Sequence, residues 1–110
     1  MQIDKNDKFT LISIDENSFS EFYNSFLIEE KNRQKENIVI QVSNNINISS
    51  KEFLLFLDIS EQKKENGTSF VVISSEINID NFPDSFNIVP TLQEAEDVID
   101  MEDMERELGF

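Results

Sequence analysis

At 110 residues the chain has the size of one domain, which buries roughly 65% of its unfolded surface and needs neither disulfide nor metal to build a core. It contains no histidine and no cysteine, which excludes imidazole and thiolate metal sites, a Ser-His-Asp triad, a cysteine nucleophile and a histidine general base. A formal net charge of −14 opposes nucleic acid and anionic membranes, whose affinities come from Lys and Arg meeting phosphate.

The opening, MQIDKNDKF, lacks the basic and apolar pattern of a secretory signal. No window approaches the roughly 20 apolar residues of a membrane span. A cytoplasmic location is therefore expected.

Residues Lys8–Ile14 (KFTLISI) alternate and are rich in β-formers, which predicts the first strand. Ser18 with Glu21 has the spacing of a capping box and starts a helix. Phe19, Phe22, Tyr23, Phe26 and Leu27 then recur at helical spacing as one apolar stripe. The polar run Glu29–Asn37 ends that helix. Asn37–Val42 (NIVIQV) predicts a second strand. Ser49 with Glu52 makes another capping box, opening a helix from about Ser50 to Asn66. Its first turns carry Phe53, Leu54, Leu55, Phe56 and Leu57, apolar nearly all round, which predicts burial between the sheet and neighbouring elements. Its second half, SEQKKEN, reads as solvated, Lys63 and Lys64 included, and Gly67 sits where a C′ glycine belongs.

Ser69–Ser74 (SFVVIS) has the apolar continuity of a central parallel strand. Phe86–Val89 makes a short fourth strand stopped by Pro90. Thr91 and Glu94 then open a helix running to about Leu108, with Gly109 as its stop. The order β-α-β-α-β-β-α predicts an α/β fold: a single small sandwich, residues 1–110, with a mainly parallel four-stranded sheet covered by helices.

Residues 92–110 form an acidic C-terminal helix, with eight acidic side chains and Arg106 for a net charge of −7. Its apolar stripe is discontinuous. Leu92, Ala95, Val98 and Ile99 share one face, whereas Met101, Met104 and Leu108 lie roughly 120° to 180° around from Leu92. Either the helix wraps its own domain, with Phe110 folding back, or its last turns dock a partner or a second copy, giving a homodimer.

Chemistry is otherwise sparse. With Gly67 and Gly109 as its two glycines, the chain has neither a Walker-type phosphate loop nor a dinucleotide fingerprint. Asp80–Asp84 (DNFPD) lacks the spacing and central glycine of a calcium loop. A carboxylate-only hydrolase stays formally open, but the Asp and Glu pairs fall on solvated faces and turns. No catalytic residue, cofactor or resident metal is expected. At Ser49–Ser50, phosphate on a helix N-terminus would meet the dipole and free N–H groups, although simple capping explains the same serines.

The run VIQVSNNINISSKEFLLFLDISEQKKENGTSFVVIS, followed by FNIVPTLQEAEDVI, resembles the STAS domain family of sulfate-transporter tails and anti-sigma-factor antagonists. The match covers about residues 36–99, by pattern more than identity. It implies a STAS-like sandwich that binds proteins, with Ser50 at the serine phosphorylated in the antagonists. Ser49 stands in place of that motif's aspartate, Lys51 of its second serine and Glu52 of its glycine. The family's N-terminal hairpin is expected here as one strand. Ser49, Ser50 and Lys51 are thus one candidate interaction surface, and Met101, Met104, Leu108 and Phe110 the other. The ending EAEDVIDMEDMERELGF resembles that of small bacterial proteins often labelled ribonuclease Z, an enzyme with a histidine-rich dizinc site. A chain without histidine does not carry that activity.

Overall fold

A computed structural model describes residues 1–43, 46–75 and 82–109. Within them the chain runs β1 (Gln2–Lys5), β2 (Thr10–Ser13), α1 (Phe19–Lys31), β3 (Ile38–Gln41), α2 (Ser50–Glu65), β4 (Phe70–Ile73), β5 (Asn87–Val89) and α3 (Leu92–Glu107). The strands form one sheet in the order β1-β2-β3-β4-β5. β1 is antiparallel to β2, with Ile3 opposite Ile12, and every other pairing is parallel.

The α/β class follows the sequence reading, but the sheet has five strands instead of four. The added strand, β1, completes an N-terminal hairpin. Its sequence QIDK holds one apolar residue and stays largely exposed, so it carries no periodicity to detect. Charged side chains suit an edge position, where an apolar strand would recruit other chains. The turn is held by Asn6, whose Oδ1 accepts from the backbone N–H groups of Lys8 and Phe9, both at 2.8 Å, an Asx-type closure.

Successive strand side chains point to opposite faces, and the two faces are covered differently. Ile38 and Ile40 of β3, with Phe70 and Val72 of β4, join the phenylalanines of α1 and α2 in the larger core cluster. Val39, Val71 and Ile73 point the other way and pack with Phe9, Ala95 and Ile99. Right-handed crossovers between strands advancing in one direction place α1 and α2 on the same side, and α3 covers the opposite side.

Phe56 is the hub of the larger cluster. It is fully buried, and the rings of Phe19, Phe22, Tyr23, Phe26, Phe53 and Phe70 surround it with centroids 5.5–6.4 Å away. Since α2 packs through this one side, Leu54 and Leu55 are each 43% exposed. The expected burial of its first turns all round is thereby corrected.

The C-terminal half of α2 departs from its solvated reading as well. Ser60 is buried and Lys63 is only 1% exposed. The Lys63 ammonium donates to the carbonyls of Arg33 at 2.7 Å and Glu36 at 2.8 Å. These carbonyls belong to the turn after α1, where the helical ladder has ended and acceptors are left over. Burial lowers the lysine's pKa from its ordinary 10.5, opposed by the charges of Glu30 and Glu36. Lys64, the next residue, is exposed and donates to the Ser85 carbonyl at 2.8 Å.

α2 ends as its glycine predicts. Gly67 has φ +79°, its N–H donates to the Lys64 carbonyl, and the Thr68 N–H donates to the Lys63 carbonyl, the paired bonds of a Schellman motif.

Candidate functional site

α3 begins as the sequence indicates, with the Thr91 hydroxyl accepting from the Glu94 N–H at 3.2 Å. It continues unbroken from Leu92 to Glu107. What changes along it is the chemistry of its inward face. In the first half, fully buried Ala95 and Ile99 press on β3 and β4. One turn further, at the same angular position, the inward residues are Glu102 and Arg106.

These two are tied to the sheet by hydrogen bonds instead of apolar contact. Glu102 accepts from the Ser69 hydroxyl at 2.7 Å through Oε1 and from the Asn87 amide at 2.9 Å through Oε2. Arg106 donates to the same Ser69 oxygen at 3.1 Å and forms an ion pair with Asp103. Ser69 is fully buried just before β4, so its hydroxyl needs these partners.

With the inward face polar, the apolar residues of the last two turns stand outside. Met101 is 56% exposed, Met104 61% and Leu108 67%. They lie roughly 140° to 200° around the helix from Ile99, and they are not buried against their own domain. Acidic residues flank them: Asp97, Asp100 and Glu105 are all exposed. Asp100 pairs with Lys8 at 3.2 Å, with both side chains more than half exposed, an arrangement that contributes little to stability. Phe110 lies outside the described residues.

The second candidate surface sits at the other end of the sheet. Every helix that follows a parallel strand starts at the strands' carboxyl edge, and α2 does so after β3. Ser49 caps α2 in a complete capping box: its hydroxyl accepts from the Glu52 N–H at 3.2 Å, and Glu52 accepts from the Ser49 N–H at 3.0 Å. Ser50 and Lys51 are exposed in the first turn. The Glu52 carboxylate already occupies this helix N-terminus, so an added phosphate would meet a like charge. Nearby, a cleft of about 390 Å³ opens between strand ends, lined by Ser13, Gln41, Ser74, Ser75 and Pro90.

The structure therefore keeps the two predicted surfaces apart. Ser49, Ser50 and Lys51 lie at the carboxyl edge. The methionine face lies toward the amino edge, since α3 runs back along the sheet to reach Ser69 and Asn87. Glu102 and Arg106, which position that face, escaped the sequence reading. Their periodicity was visible, since Glu102 and Arg106 continue the Ala95–Ile99 face, but periodicity alone does not say whether that face or the methionine face is covered.

Among the described residues, no group of three or more acidic side chains is arranged to hold a metal ion. Part of the Asp80–Asp84 segment, Asp80 and Asn81, lies outside the described residues. No described helix is long and apolar enough to cross a membrane. No protein-family model matches the chain, and no curated protein matches it in sequence.

Proposed function

We propose that this chain is a non-catalytic, STAS-like protein-interaction module that binds a protein partner or a second copy of itself through the outward face of α3. One observation carries the reading. Met101, Met104 and Leu108 are exposed together on a helix whose inward side is already satisfied by Ala95, Ile99 and the Glu102 hydrogen bonds. A scattered exposed leucine needs no explanation, but three large apolar side chains on one stripe mark a contact surface. The STAS-like part is supported by the β1–β2 hairpin, the parallel strands that follow it, and a capped helix start at Ser49–Ser50.

The test is site-specific photo-crosslinking in the native host. A photoreactive residue at position 104 or 108 is expected to capture a defined protein, or a second copy, and one at exposed Glu61 on α2 is not. Equal labelling from all three positions, or none from any, refutes the reading.

A second reading, a phospho-switched anti-sigma-factor antagonist, is favoured by the exposure of Ser50 beside the residue that caps the helix. It is dropped if Ser50→Asp changes the affinity of no captured partner.

A further inference from the structure

Resting on the reading of α3 as an interaction face, we propose that its occupant is a basic amphipathic helix and not a second copy of the chain. Met101, Met104 and Leu108 recur at i, i+3 and i+7, the a-d-a spacing of a helix-pairing seam. In that frame Asp100 and Glu107 fall at g positions and Glu105 at an e position, which are the places that meet a partner's charges. Glu105 and Glu107 are exposed. The ion pairs of α3 among the described residues, Lys8–Asp100 and Arg106–Asp103, involve neither of them.

Charge then decides between occupants. In a parallel pair of two copies, g of one helix faces e of the other, which sets Asp100 against Glu105. In an antiparallel pair, g faces g and e faces e, which again sets acid against acid. Both arrangements are repulsive, and each chain brings a net charge of −14 to the encounter. A helix with apolar a and d residues and Lys or Arg at e and g reverses every one of these terms. Two methionines in the seam suit such a partner, because their unbranched side chains re-pack against different apolar shapes. The exposed face thus selects its partner by charge and holds it by apolar contact.

Synthetic peptides of about three heptads test this. One carries Leu at a and d with Lys at e and g. A second replaces the Lys by Glu. A third has the composition of the first, scrambled so that no apolar face forms. Binding of labelled peptide is read by fluorescence anisotropy on the full chain and on the double variant M104S/L108S. That variant keeps every charge and touches only exposed positions, and its melting curve verifies its fold.

The Lys helix is expected to bind the wild-type chain, at least about tenfold more weakly to the variant, and more weakly still as salt rises from about 0.05 M to about 0.5 M. The Glu helix is expected not to bind. Equal binding of the ordered and scrambled Lys peptides, or undiminished binding to M104S/L108S, overturns the proposal by showing that bulk charge suffices. A wild-type dimer in sedimentation that M104S/L108S abolishes also overturns it, while leaving the interaction reading of α3 intact. Failure of the peptides, of self-association and of crosslinking from α3 removes both.

Discussion

Replacing Glu102 by alanine is expected to release the second half of α3 from the sheet while the core stays folded. The carboxylate accepts from Ser69 at 2.7 Å and from Asn87 at 2.9 Å, and Ser69 is fully buried. A hydrogen bond to a charged group contributes about 1.5–3 kcal/mol, and a buried donor left without a partner costs about 1–3 kcal/mol. These losses overlap, and Arg106 still reaches the Ser69 oxygen at 3.1 Å. Removing one negative charge from a chain at −14 also relieves a little self-repulsion. A net cost of about 2 kcal/mol follows, which lowers Tm by about 8 °C in a domain of this size. Thermal melting measures the total, and native-state hydrogen exchange locates it. Amides of residues 103–107 should lose protection, and those around Ala95 and Ile99 should keep it because their apolar contacts are untouched. An E102A chain with Tm within about 2 °C of wild type and unchanged protection at 103–107 would refute this account of what holds the helix.

Phe56→Ala should cost about 3–5 kcal/mol, read as a shift of the urea midpoint; a change within about 0.5 kcal/mol, as at a surface site, would contradict a buried hub. Lys63→Met leaves the Arg33 and Glu36 carbonyls without their ammonium donor and should destabilise by about 1–3 kcal/mol near neutral pH. Because burial lowers the Lys63 pKa below 10.5, the unfolded chain binds more protons at mildly alkaline pH, so wild type should gain on K63M as pH rises toward 10.5. A wild-type minus variant difference that stays flat with pH would sink that assignment. Glu36 is held below its ordinary 4.5, first by the Thr10 hydroxyl and then by Arg33 and Lys5. Its contribution is present above 4.5 and is lost as pH falls through the folded-state value, so Thr10→Val should raise the Glu36 titration seen by carboxyl NMR and flatten that acid loss. An unmoved titration would reject Thr10 as the main cause.

The helices were largely legible because their signals are local. A hydroxyl at Ser18, Ser49 or Thr91 reaches an N–H three residues on, and the spacing that permits it is written in the chain. Strands β2, β3, β4 and β5 were also legible, since each is an apolar or alternating run of β-formers. β1 was not. QIDK has no pattern, and it becomes a strand only because β2 offers its free edge and Asn6 closes the turn. Lys63 and Lys64 read alike as solvated, yet one is buried and the other exposed. The difference is made by two carbonyls about 30 residues upstream, which no local pattern reveals.

For the candidate surface, the sequence by itself determined that histidine and cysteine chemistry is absent, that the last helix is strongly acidic, and that its apolar stripe breaks near Asp100. It left open which stripe would be covered. The tertiary structure decided that. The sheet surface under the second half of α3 presents Ser69 and Asn87, so Glu102 and Arg106 turn inward and Met101, Met104 and Leu108 are left facing out. The physical reason is that buried polar groups must find partners, and here that requirement outweighs the burial of two methionines and a leucine. Periodicity states which residues share a face of a helix, and only the packed neighbour determines which face it takes.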